Sequence, residues 1–268
     1  MAEDRQVLRD VWEGRVPVCF RLADSEVHTV SVPEPYYLLV PRMTYFPLVI
    51  DRVRRHFSRS VHPDHQGSDV WLEWDGTPLK WHQPVGLQFD LLCTESALPW
   101  HLAVHFTSHT DEACVMKREA LESFFLSSVK EADQLKHKGA VMSSLGKRDH
   151  NQLWAGLASD KFDQFWSVNR RLMEAPPEER FRSVPVRLYR PGQPYVQRPY
   201  SPCAEDGQPH TLLDMIGQLA PELAPELARA GSPRVILHGI TPALETPVQW
   251  LSQHLSYADN FLHIVILA

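Results

Sequence analysis

One pattern occurs twice in this chain, and it limits the possible folds more than any other feature. Gly76 is followed eight residues later by Pro84, and Gly239 is followed eight residues later by Pro247. Each proline opens an apolar stretch, PVGLQFDLL in the first copy and PVQWLSQHL in the second. Each stretch leads into an alternating run, Leu102/Val104/Phe106 or Leu262/Ile264/Ile266, the period of a half-buried strand. Between proline and strand the second copy is three residues shorter. Spacing, order and final alternation agree, so duplication of one fold is the simplest reading.

The first copy reads as a compact α+β unit over residues 15–106. Val16–Leu22 and Tyr36–Val40 have strand composition, with Pro17 near a strand start, where proline is tolerated. Pro47–Phe57 has helical spacing, with Leu48, Val49, Val53 and Phe57 inward and Arg52, Arg54, Arg55 and Arg59 mostly outward. Val70–Trp74, a turn at Gly76, Leu79–Trp81, a short helix Val85–Leu92 and a strand Leu102–Phe106 complete it. The order β-β-α-β-β-(short helix)-β is the β-grasp layout of ubiquitin, one helix packed on one face of a mixed sheet. The second copy, residues 181–268, repeats it with strands at Val184–Tyr189, Tyr195–Tyr200, Arg234–His238 and Leu262–Ile266. Its helices are Thr211–Leu219, capped by Thr211, and Val248–Leu255. A lead-in helix over residues 3–12, with Asp4 as N-cap, precedes both copies and ends at Gly14.

Residues 107–180 are helical. Lys117–Leu145 reads as one amphipathic helix. At about 100° per residue, Leu121, Phe124, Phe125, Val129, Ala132 and Leu135 share an arc, and Lys130 stands about 180° from Leu121. Asp149–Leu157 and Ser159–Met173 follow, the latter with Ser159 as N-cap and Asp160 in its first turn. Ala175–Arg180, with two prolines, acts as a linker. The basic residues are unevenly chosen: 20 Arg but only 7 Lys, and five of the seven lysines (Lys117, Lys130, Lys136, Lys138 and Lys147) fall between residues 117 and 147. An amine offered for chemistry is offered here.

Composition removes several classes. A net charge of −6 argues against a nucleic-acid partner, which needs a basic footprint. The start MAEDRQVLRD has no apolar h-region, residue 2 is Ala rather than Gly, and no run reaches the roughly 20 apolar residues of a span. Cys19, Cys93, Cys114 and Cys203 form no CxxC pair, which suits a reducing cytoplasm. There is no GxSxG, HExxH, Walker loop or GxGxxG. His101, His105 and His109 are four apart, but along a strand such residues are roughly 13 Å apart, too far to share a metal. His62 and His65 flank a Pro-Asp turn without a ligand set. The expectation is a chain with no catalytic residues, no metal and no cofactor. A thiol or hydrolase enzyme with a buried Cys/His pair is the alternative from another class. The chain's C-terminal Ile-Leu-Ala comes straight off a strand, which disfavours a conjugated modifier needing a slim glycine tail. An acceptor needs only a reachable lysine.

The segments YYLLVPR, GTPLKWHQPVGLQFDLL, SALPWHLAVHF, VKEADQLKHKG, KRDHNQLWAGL, DKFDQFWSVNRRLME and ETPVQWLSQHLSYADNFLHI resemble the autophagy protein 5 family, over about Val7 to Ile264. The resemblance implies two ubiquitin-like domains flanking a helix-rich one. It implies that Lys130, in VKEADQLKHK, is the acceptor of an isopeptide bond to the ubiquitin-like autophagy protein 12, delivered by separate activating and conjugating enzymes. It implies binding of the N-terminal helix of autophagy protein 16, with Gly86 in the partner-binding motif, and a ligase-like role in lipidation of autophagy protein 8-type modifiers. Recruitment from the cytoplasm to the forming autophagosome (phagophore) membrane follows, with Arg52, Arg54, Arg55 and Arg59 as candidate peripheral lipid contacts. An unconjugated helix-binding adaptor is the nearest alternative.

Overall fold

In the computed structural model, residues 2–93, 98–107, 115–174, 180–223 and 234–267 are described. Strand β1 (Arg15–Leu22) buries Val16, Val18, Phe20 and Leu22 against the first-copy helix and pairs antiparallel with β2 (Tyr36–Pro41). It pairs parallel with β5 (Trp100–His105), from Val18↔Trp100 to Leu22↔Val104. Pro17 lies outside that parallel stretch, so its missing N–H leaves the β1–β5 ladder intact. Strand β3 (Trp71–Trp74) pairs antiparallel with β5 and with β4 (Thr77–Pro78). The sheet order is β2-β1-β5-β3-β4. Helix α2 (Ile50–Phe57) lays Ile50, Val53 and Phe57 on this sheet, and α3 (Val85–Leu92) follows β4.

The second copy repeats the plan. Strands β6 (Val184–Tyr189), β7 (Val196–Tyr200), β8 (Arg234–Ile236) and β9 (Leu262–Leu267) form a sheet of order β7-β6-β9-β8, with β6 and β9 parallel. Helix α8 (Leu212–Leu219) starts at a capping box between Thr211 and Asp214, and α9 (Val248–Leu255) corresponds to α3. The duplication reaches single turns. Asp75 (φ 46°) and Gly76 (φ 76°) turn β3 into β4, and His238 (φ 51°) and Gly239 (φ 80°) make the same left-handed pair after β8. This explains why the glycine-to-proline spacing is shared: a two-residue turn needs positive φ twice, and the glycine meets that need at its second position.

Between the copies lie α4 (Arg118–His137), α5 (Ala140–Ser144), α6 (Lys147–Ala158) and α7 (Phe162–Met173). The lead-in helix α1 (Ala2–Glu13) packs on α7 through Trp12, Phe162 and Phe165. One apolar cluster joins all three parts: Trp12, Tyr45 and Leu87 meet Phe125, Val129 and Leu153, and also Tyr189, Tyr257 and Val265.

Several element boundaries differ from expectation. The single helix Lys117–Leu145 is two helices, because Lys138 (φ 57°) and Gly139 (φ 78°) both turn left-handed and the Gly139 N–H closes on the Asp133 carbonyl. Ser159 ends α6 instead of starting α7; Asp160 (φ 52°) follows it, and Asp163 occupies the first turn. Leu79–Trp81 is not a strand: the pairing stops at Pro78, and Leu79 and Trp81 are buried from a loop. Asp4 lies inside α1, which begins at Ala2. The expected second-copy strand Arg234–His238 ends at Ile236, because His238 is spent on the turn. His109, Cys114 and residues 175–179 of the linker lie outside the described residues.

Candidate functional site

Helix α4 buries Leu121, Phe125, Val129 and Ala132 completely, and that face fixes the rotation of the helix. Lys130 is thereby turned to solvent, and its amine has no ion pair or hydrogen bond among the described residues. Glu131 and Asp133 are both committed elsewhere. Glu131 accepts from Gln197 Nε2 at 2.6 Å and lies 3.8 Å from Arg187 Nη2. Asp133 is buried, and its Oδ2 accepts from the Met142 N–H at 2.9 Å, capping α5 from the preceding helix. So Lys130 stands beside two carboxylates that do not pair with it.

Beside α4 a cavity of about 330 Å³ opens among Ser127, Glu131, His82, Tyr195, Gln197 and Arg187. Its floor is a buried polar chain. Arg187 Nη1 donates to Asp259 Oδ2 at 3.2 Å, and its guanidinium lies 3.7 Å from the Phe261 ring centre. His263 Nε2 lies 3.0 Å from the same Asp259 oxygen, and its Nδ1 lies 3.0 Å from the Tyr189 hydroxyl. Burial pushes the Asp259 carboxyl up, but His263, Arg187 and the Phe261 N–H outweigh it and hold the group below the usual carboxylate range. Burial, then the Lys80 and Arg187 charges, lower the His82 imidazole. Sequence reasoning missed Arg187 and His263. Their signal was a polar residue inside an apolar strand, VPVRLY and LHIVIL, and the parallel register places the two side by side.

Gly86 is buried on α3, and the backbone it approaches is the chain's own. A Cβ there would lie 2.7 Å from Arg42 Cβ and 3.0 Å from the Arg42 carbonyl oxygen, which accepts the Gly86 N–H at 2.9 Å. Arg42 Nη2 donates to the Gly86 carbonyl and to Asp90, and Asp90 Oδ2 also accepts the Gly239 N–H at 2.9 Å. Burial pushes the Asp90 carboxyl up, with the Arg42 charge and the Gly239 N–H pulling against it. On the far side of Arg42 lies an open apolar groove of about 450 Å³, walled by Val7, Val11, Ile240, Trp250 and Leu255. His238 lines it and is held neutral: burial first, then the Arg42 charge, lower its imidazole to about 3.

The remaining expected residues are separate from both places. On α2, Arg52 and Arg55 are exposed and Arg54 is half-buried, with Arg59 exposed just beyond the helix. His101 and His105 lie along β5, and His105 stacks on Trp71 and reaches Glu26 and Glu73. Among the described residues there is no cluster suited to a metal ion, and no helix long and apolar enough to cross a membrane.

Two ubiquitin-like domains fused through a helical bundle, with an exposed lysine on the bundle and a groove where the copies meet, define a class of multidomain ubiquitin-like protein. The comparisons with known proteins narrow it. Family models described as "Autophagy protein ATG5, UblA domain", "alpha-helical bundle region" and "UblB domain" match residues 11–106, 118–175 and 183–266. Autophagy protein 5 of Drosophila melanogaster is 45% identical over 99% of this chain and 98% of its own length. Autophagy-related protein 5 of Caenorhabditis elegans is 32% identical over 98% of each. The crystal structure of Kluyveromyces marxianus Atg5 has the same fold, with a TM-score of 0.81 over 97% of this chain and 99% of that one, at 19% identity. The chain belongs to the autophagy protein 5 family.

Proposed function

We propose that this chain is the acceptor and scaffold of an autophagy conjugation complex, with units at 1–14, 15–106, 107–180 and 181–268, and that it is not itself an enzyme. Lys130 receives the C-terminal glycine of autophagy protein 12. Its neutral Nζ attacks the thioester carbonyl carried by the conjugating enzyme; a C–N bond forms, the C–S bond breaks, and the cysteine sulfur leaves. For an ordinary lysine, losing the proton at pH 7 costs about 4.6 kcal/mol. The conjugating enzyme supplies the base that takes the Nζ proton. The observation that carries the reading is the exposure of Lys130 on a helix whose opposite face is locked in the core.

The groove beside Arg42 is the proposed seat of the N-terminal helix of autophagy protein 16. Gly86 acts there at one remove, by letting Arg42 lie close enough to wall the groove. The assembled complex promotes lipidation of autophagy protein 8-type modifiers at the phagophore, having been recruited from the cytoplasm. Arg52, Arg54, Arg55 and Arg59 supply a peripheral contact with anionic lipid.

Reconstitution tests the central step. Autophagy protein 12, its activating and conjugating enzymes, ATP and this chain should give one species of added mass on a denaturing gel. Lys130→Arg should abolish it with the thermal transition unchanged. A conjugate that forms on Lys130→Arg assigns the bond to another lysine. No conjugate on the wild type, with the helix still bound, leaves an unconjugated adaptor.

A further inference from the structure

The two most exposed large apolar side chains among the described residues are neighbours. Val30 is fully exposed and Val32 is 70% exposed. Both sit on the segment joining the 3-10 turn Asp24–Glu26 to β2, a stretch outside any helix or strand. Isolated exposed valines need no explanation. This segment, however, is pinned at one end to the turn that follows α2 and at the other to the last turn of α2. The His28 N–H donates to the Ser60 carbonyl at 2.8 Å, and His56 Nε2 lies 2.8 Å from the Glu34 carbonyl. Tyr36, where β2 begins, packs its ring 5.1 Å from that of His56. Thr29 Oγ1 donates to the Ser31 carbonyl at 2.7 Å, which tightens the tip between the two valines.

The helix to which the segment is strapped is the basic one. Arg52 and Arg55 lie on its outer side, opposite the buried Ile50, Val53 and Phe57, and Arg59 just beyond the helix continues the i, i+3, i+7 spacing. The acids nearby are Asp51 on α2, Glu34 on the strap and Asp64 in the following turn. An aliphatic tip held beside a cationic stripe is complementary to a surface with an apolar interior and an anionic rim. That is the chemistry of an anionic bilayer.

We propose that the Thr29–Val32 tip is a membrane-insertion element, placing Val30 and Val32 below the headgroups while the α2 arginines hold the phosphates. This rests on the peripheral lipid contact proposed above and adds what that contact lacks: an apolar component, insensitive to salt. Neither valine packs in the core, so replacing them leaves the fold intact.

The test is flotation of the full chain with phosphatidylcholine vesicles, with and without phosphatidylserine. Wild type should float with the anionic vesicles and retain part of its binding at high salt. Val30→Ser combined with Val32→Ser should lower the partition at least about tenfold and make the remainder fully salt-sensitive. Arg52→Glu with Arg55→Glu and Arg59→Glu should abolish flotation. Circular dichroism confirms that each variant is folded. If the serine variant floats like wild type and the glutamate variant does not, insertion is overturned and the lipid contact stands as charge alone. If the wild type fails to float with anionic vesicles, both are overturned. Capture of a soluble acidic peptide in place of vesicles also overturns the proposal.

Discussion

Lys136 is the one lysine of seven that the fold buries. It lies one turn and a half beyond Lys130 on the same helix, at 2% exposure. Its amine faces the Met173 sulfur at 3.0 Å and the Phe181 ring at 4.8 Å, with no carboxylate in direct contact among the described residues. Burial lowers its pKa to about 7, against the pull of Asp259 and Asp133. The unfolded chain, near 10.5, therefore binds the proton more tightly than the folded one. Stability carries this penalty in full below pH 7 and recovers it as pH rises from 7 toward 10.5. Lys136→Met should stabilise the protein at pH 6–7 by several kcal/mol, of order 4 at most. The advantage over wild type should shrink toward pH 10, as denaturant midpoints measured across that range would register. Helical spacing puts Lys136 about 60° from Leu121, on the apolar side, a position not drawn out from the sequence above. What hid its burial was the residue type, since lysines are so rarely interior. Lys130 was legible for the converse reason: its spacing and its chemistry both pointed outward.

At the scale of elements, apolar periodicity located the strands and helices, and local backbone chemistry decided where they stop. The Lys138–Gly139 break carries no apolar signature, because Val141, Met142 and Leu145 continue a plausible stripe across it. The start of α7 was misread because Ser159 and Asp160 suit an N-terminus in isolation. Asp160 is instead held by Arg15 at 2.7 Å, a partner from β1 that local reading does not see. The α6–α7 crossing depends on a glycine that carries no local sequence signal. A Cβ on Gly156 would lie 2.6 Å from the Phe165 backbone nitrogen and 2.8 Å from its Cα. Gly156→Ala should therefore force the helices apart and cost about 1–3 kcal/mol, visible as a lowered Tm. Gly86→Ala meets Arg42 Cβ at 2.7 Å, and should in addition weaken binding of a helix in the adjacent groove.

At the scale of the whole molecule, the duplication was readable from spacing, but the way the copies meet was not. Asp90 and Gly239 are 149 residues apart, and nothing local marks either as the other's partner. Their contact covers the first copy's own Arg42–Asp90 ion pair where the copies meet, and the shared core holds Tyr45, Phe125 and Tyr257 from all three parts. Unfolding should accordingly be a single transition in wild type. Asp90→Ala leaves the Arg42 charge buried without its partner and should cost about 3–5 kcal/mol. Calorimetry should then show the second copy melting ahead of the rest.

The paired turns at Asp75–Gly76 and His238–Gly239 have one more consequence. Gly76 faces open space, whereas Gly239 is seated in the first copy, with its N–H on Asp90. The two copies thus meet head to tail rather than about a twofold axis, and a head-to-tail contact between like units can in principle repeat without end, building a filament. Here it stops after one step. Counting from the shared proline, Gly86 and Asp90 of the first copy correspond to Gln249 and Gln253 in the second. The second copy therefore has a full side chain where a bare backbone is needed, and no carboxylate to receive the next turn. One copy has the socket and the other does not, so the head-to-tail contact ends as a closed pair within one chain.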